Sequence, residues 1–137
     1  MRVLLDSNVI IDWLVHRQPF FEPAKAVIES CMFGNNQGFV TSHSLCDMYY
    51  ILRKDFSTEQ RLNFIRLLSE RCKVIIEEAQ DFHVVSSNPS TTDLEDGLQI
   101  QCAEKLELDY IITRNIKDFD LSTVPAISPV DFNSMCI

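Results

Sequence analysis

The sequence predicts an α/β domain with a central, mostly parallel sheet of four to five strands between helices. Three observations lead there. Short apolar runs recur at residues 3–5, 38–41, 73–76 and 110–112, each ending at polar capping or turn residues. The segments between them carry apolar residues at helical spacing, and strands that alternate with helices pair in parallel. The 137 residues fit a single domain, 1–137, able to bury its own core without disulfides or structural zinc.

Val3-Leu4-Leu5 is a continuous apolar run, as expected of a strand covered on both faces. Asp6-Ser7-Asn8 stops it and opens a helix through Val9, Ile10 and Ile11 to Leu14. A second helix runs over 22–33 and ends at Gly34. After the second strand, Ser42 or Ser44 caps a helix carrying Leu45, Met48, Tyr49 and Leu52. Ser57-Thr58-Glu59 opens another, with Leu62, Ile65 and Leu68 on one face. The third strand follows, then a short helix over 78–86. Thr92-x-x-Glu95 has the form of a capping box and opens a helix to about Leu106. The fourth strand leads into Thr113-Arg114-Asn115. A fifth over 124–127 contains Pro125, which places it at a sheet edge.

Composition narrows the function. Twelve Lys and Arg against twenty Asp and Glu give a net charge of −8. A broad basic nucleic-acid face is excluded, unless some of the acids hold a cation that attracts phosphate. The five cysteines form no C-x-x-C and read as reduced, mostly buried thiols of a cytoplasmic protein. His16, His43 and His83 lie far apart in sequence and predict no zinc site between them. Asp6 and Asp12 interrupt the only signal-like stretch, and no apolar run is long enough to span a membrane. Asp12 is expected to face solvent or to pair with Arg17.

Sheets of this kind place their sites at the carboxyl ends of the strands. Asp6 follows the first strand directly, and Asp47 lies one helical turn beyond the second. Asp93 and Asp96 open the helix that feeds the fourth strand, and Asn115 and Asp118 follow that strand. Converging carboxylates repel by roughly 3 kcal/mol per pair at about 5 Å and an effective dielectric of about 20. Mg²⁺ or Mn²⁺ relieves that repulsion and suits an all-oxygen donor set. Such an ion activates water and neutralises phosphate charge, which is the chemistry of phosphodiester hydrolysis.

Three segments together resemble the PIN domain family, and within it the VapC-type toxin ribonucleases and their relatives. They are Val3-Leu4-Leu5-Asp6-Ser7-Asn8-Val9-Ile10, Asp93-Leu94-Glu95-Asp96-Gly97-Leu98 followed by Ala103, and Ile111-Ile112-Thr113-Arg114-Asn115-Ile116-Lys117-Asp118-Phe119. The resemblance implies a three-layer α/β/α fold and a divalent-metal-dependent endoribonuclease. Its metal-binding, catalytic acids fall on Asp6, Asp47, Asp96 and Asp118, with Asp47 one methylene shorter than the family's usual Glu. Ser7, Asp93, Thr113 and Asn115 are expected to support them. Arg53, Lys54, Arg114 and Lys117 are the expected phosphate contacts.

The implied partners are an RNA substrate, an antitoxin protein and a second copy of the chain, with Tyr49 or Tyr50 at the interface. The competing reading is an inactive module of the same fold that serves binding or dimerisation. A phosphoryl-transfer or receiver-type domain fits poorly, because Asp6-Ser7-Asn8 lacks the second acid of a D-x-D.

Overall fold

The computed structural model describes residues 1–136. Five strands form one all-parallel sheet in the order β3-β2-β1-β4-β5. They are β1 (Arg2–Leu5), β2 (Gln37–Thr41), β3 (Lys73–Ile75), β4 (Tyr110–Ile112) and β5 (Ala126–Ile127). The sheet grows outward in both directions from β1, so β1 is its centre and its carboxyl end the natural site position. β5 pairs only with β4 and begins just after Pro125, at the expected edge.

The helices are α1 (Ser7–Leu14), α2 (Phe21–Phe33), α3 (Ser42–Ile51), α4 (Thr58–Arg71), α5 (Ala79–Ser87), α6 (Leu94–Lys105) and α7 (Pro129–Met135). Two apolar clusters sandwich the sheet, which makes three layers. Val3 and Leu5 of β1 join residues of α1, α2, α3, α4 and α7 on one face. Leu4 points the other way, against Cys102 and Ala103 of α6 and Phe119. This alternation is why β1 must be apolar at every position. No helix among the described residues is long and apolar enough to cross a membrane.

Several local expectations are corrected. Thr41, not Ser42 or Ser44, caps α3: its Oγ1 accepts from the Ser44 N–H and donates to Ser44 Oγ. α6 is capped by Asp93, whose Oδ1 accepts from the Asp96 N–H at 2.9 Å, so Thr92 and Glu95 form no capping box. Glu95 is thereby left free to face outward.

On α4, Leu68 is buried but Leu62 is 49% exposed; Phe64 and Leu67 pack in its place. The structure adds α7, which lies outside the sequence expectations, although Ser128-Pro129 is a sound start: an N-cap followed by proline at the first helical position. Its Phe132 is fully buried against the α2 side of the core. Cys31, Cys72 and Cys102 are buried, whereas Cys46 and Cys136 are exposed; all five are free.

Candidate metal centre

Asp6 sits at the end of β1, where its backbone N–H bonds the Ile112 carbonyl of β4. Its carboxylate is buried, 7% exposed, and both oxygens are held. Gln99 Nε2 donates to Oδ1 at 2.9 Å, and Thr113 Oγ1 donates to Oδ2 at 2.8 Å. Thr113 in turn accepts from the Asn115 N–H at 2.9 Å. The loop after β4 is thus tied to the acid at the end of β1. Burial pushes the Asp6 carboxyl above its ordinary range, Thr113, Gln99 and the Ser7 backbone N–H pull it down, and Asp118 pushes it further up. Thr113 and Ser7 therefore both support Asp6, but Ser7 does so through its backbone.

Asp96 is the most strongly perturbed acid of the group. Burial, then Asp93, Asp118, Asp6 and Glu95, push it up to about 6. The charges named there belong to α6, the end of β1 and the turn after β4, so these elements converge on one place. Asp93, Asp96 and Asp118 also line an open cleft of about 200 Å³, whose other walls include Asn88, Thr91 and Glu104. Gly97 lets α6 lie close on α5: a Cβ there would stand 2.5 Å from Val85 Cγ1.

Asp47 is exposed on α3, so it bears none of the burial cost that its apolar neighbours in sequence suggest. It lies beside Glu95 rather than inside the Asp6–Asp96 group, and it is the foremost charge, after burial, in pushing Glu95 up. His43 joins them: one ligand atom from each of His43, Asp47 and Glu95 lies within 4.8 Å of the others. Glu95 and Gln99 are the residues that sequence reasoning misses. They stand four apart on α6, Gln99 against Asp6 and Glu95 beside Asp47 and His43, a signal hidden by reading Glu95 as a cap.

The basic candidates divide. Arg114 is engaged elsewhere: its Nε donates to Asp12 Oδ2 at 2.6 Å and its Nη2 to Oδ1 at 3.3 Å. Its guanidinium also lies over the Phe20 ring, 4.2 Å from the centroid. Asp12 is 1% exposed, which corrects the solvent-facing expectation; Arg17 stands 3.5 Å away as a second partner. Arg53 is exposed, stacks 3.7 Å above Tyr50 and donates to its carbonyl. Lys54 and Lys117 are exposed.

The described arginine and lysine ion pairs neutralise Asp12 and Asp81, and none reaches Asp6, Asp93, Asp96 or Asp118. The cleft is therefore a concentration of carboxylate oxygens without protein countercharge. That donor set fits a hard divalent cation such as Mg²⁺ or Mn²⁺.

One consequence concerns stability. The folded chain holds the Asp96 proton more tightly than the unfolded chain does, so this group's contribution is fully present below about pH 4. It is lost as pH rises through about 6. Asp96→Asn removes that loss. In EDTA the variant is expected to match its parent near pH 4 and to exceed it at pH 7.5 by about 1 kcal/mol, after discounting for solvent screening. Urea melts across that range check this; a gap that does not widen with pH overturns it.

No curated protein sequence matches the chain. Solved structures do match its fold. A toxin–antitoxin complex from Klebsiella pneumoniae is 22% identical, covers 93% of this chain and 97% of that one, and has a TM-score of 0.67. VapBC-1 from nontypeable Haemophilus influenzae is 21% identical over 95% and 99%, with a TM-score of 0.68. The sarcin-ricin loop cleaving toxin VapC20 of Mycobacterium tuberculosis is 11% identical over 80% and 86%, with a TM-score of 0.65. At these identities the likeness is one of fold. The sequence profile of the PIN domain matches residues 2–117, nearly the whole chain, and this chain accordingly belongs to the PIN domain family.

Proposed function

We propose that the chain is a divalent-metal-dependent endoribonuclease and the toxin of a toxin–antitoxin pair. The observation that carries this is the uncompensated acid cluster at the carboxyl ends of β1 and β4, where burial and then the neighbouring carboxylates lift Asp96 to about 6. Asp6, Asp96 and Asp118 would hold Mg²⁺ or Mn²⁺, and Asp47 completes the acid wall on the α3 side. When bound, the ion supplies an activated water and charge neutralisation at the phosphate.

The chain's own residues do the rest. Gln99 and Thr113 fix both oxygens of Asp6, so its orientation is set before the ion arrives. Lys117, next to Asp118, and Lys54 with Arg53 are the cations left to steer a phosphate backbone toward an acidic cleft. Arg114 serves Asp12 first. The Klebsiella neighbour, a toxin–antitoxin complex, and the Mycobacterium neighbour, a sarcin-ricin loop cleaving toxin, support the class of reaction and partner. The same reading assigns a second copy of the chain to the side of α3 and α4. There Tyr50 is 62% exposed and Leu45, Tyr49, Leu62 and Ile65 line an apolar groove.

The test is cleavage of an end-labelled structured RNA in Mn²⁺, in Mg²⁺ and in EDTA. Cleavage with either ion and none in EDTA is the expected result. No cleavage with either ion, together with no Mn²⁺ binding by calorimetry, overturns the enzyme reading and leaves the binding module.

A further inference from the structure

We propose that the cleft beside Asp96 and Asp118 is a nucleobase pocket that selects guanine in the RNA strand. Its floor is one face of α6, where Gly97, Ile100, Gln101 and Glu104 follow the i, i+3, i+4, i+7 spacing that puts side chains in line. α6 contacts both α5 and the 116–119 turn, and these supply the walls, with Val84 from the first and Leu121 just beyond the second. Val84 is 39% exposed and Leu121 67%, so apolar surface stands open to a ligand here. An unstacked base needs such surface against its faces. The volume of about 200 Å³ lies below that of pockets enclosing drug-sized ligands and suits one planar base.

The bonds already made fix which polar atoms are left over. Gln101 Nε2 donates to Asp81 Oδ1 at 3.3 Å, and that carboxylate, also held by Lys105, can only accept. This settles the orientation of the amide and leaves Gln101 Oε1 as an acceptor. Glu104 Oε1 accepts from the Thr123 N–H at 3.0 Å, which leaves Oε2. Asn88 Oδ1 accepts from the Ser90 N–H at 2.9 Å, which leaves its Nδ2 to donate. Among these three residues the remaining atoms are thus two acceptors, one of them a carboxylate oxygen, and one donor group. Guanine presents the complement on its Watson–Crick edge: adjacent donors at N1 and N2, and an acceptor at O6. Adenine and cytosine offer a single amino group there, and uracil a single N–H.

Charge selects a base over a phosphate in this part of the cleft. Its described walls carry Asp93 and Glu104 and no Lys or Arg, so a phosphate is repelled there while a neutral base with N–H donors is attracted. Asp96 and Asp118 belong to the same walls. A nucleotide with its base in the pocket therefore has its phosphate beside the acids assigned to the metal. The choice of RNA as occupant rests on the nuclease reading, but the base preference is measured without cleavage.

The experiment titrates GMP, IMP, AMP, CMP and UMP, each as the 5′-monophosphate in Mg²⁺, into the ¹⁵N-labelled full chain and follows the backbone amides. GMP is expected to bind about tenfold or more tightly than the others, including IMP, which lacks only the N2 amino group. The shifts should centre on Asn88, Gln101, Glu104 and Thr123. Glu104→Gln, which keeps an oxygen for the Thr123 N–H, and Asn88→Ala, at an exposed position, should each reduce the preference for GMP. Equal binding of all the nucleotides, no shifts at millimolar GMP, or a GMP preference that survives both substitutions overturns the pocket. Selective GMP binding by a chain that cuts no RNA upholds the pocket and tells against the nuclease. Metal-dependent cleavage that shows no preference for sites beside guanine overturns the pocket and leaves the nuclease standing.

Discussion

Asp6→Asn is expected to yield a folded protein whose RNA cleavage falls by roughly a thousandfold or more, about 4 kcal/mol of barrier. The fold should survive because the surroundings can adapt. Gln99 is fully buried, and its Oε1 has no partner among the described residues. Turning that amide over presents an acceptor to the amide introduced by the substitution, while Thr113 still donates to the remaining oxygen. What is lost is the negative charge of an acid whose two oxygens are both fixed by donors from other elements. Asp96→Asn should fall as far in cleavage while gaining stability. The pair of outcomes separates function from folding: activity lost, melting temperature kept or raised. Cleavage that persists in Asp6→Asn, at any metal concentration, would remove Asp6 from the centre and the proposed mechanism with it.

Arg114→Ala should carry the largest stability cost of any single change at the site's border. It strips the bidentate partner from Asp12, a carboxylate 1% exposed. Leaving a buried charge unpaired costs about 3 kcal/mol or more, which for a chain of this size lowers the melting temperature by about 10 °C. Arg17, at 3.5 Å and half-exposed, compensates only in part. Asp12→Ala combined with Arg114→Ala should cost less than the sum of the two, because no orphan charge remains. Thermal melts of the three variants decide this. An Arg114→Ala protein that melts like its parent yet cleaves RNA poorly would return Arg114 to the role of phosphate contact.

Much of this architecture is legible in the chain itself. Strands β1 to β4 are short apolar runs bounded by capping residues, and that pattern is local. The edge position of β5 follows from Pro125, which cannot donate to a sheet ladder. Asp6, Asp96 and Asp118 stand out because acids that follow strands, or open the helix feeding one, come to the carboxyl edge of a parallel sheet.

The pairings are not legible. Asp12 finds Arg114 across 102 positions, Asp6 finds Gln99 across 93, and Glu77 finds Ser42 across 35. Local spacing carries no trace of such contacts, which exist only once the sheet order β3-β2-β1-β4-β5 sets the elements side by side. Asp12 therefore reads as a surface acid, and Leu62 reads as core although the packed face of α4 is the one bearing Phe64, Leu67 and Leu68. Glu95 reads as a cap until Asp93 takes the Asp96 N–H and leaves Glu95 to His43 and Asp47. The sequence by itself determined the elements and the supply of acids, because periodicity and capping act within a few residues. Only the tertiary structure decided which acids crowd one another, which are neutralised by arginine, and which face a histidine, because charge and hydrogen bonding act through space.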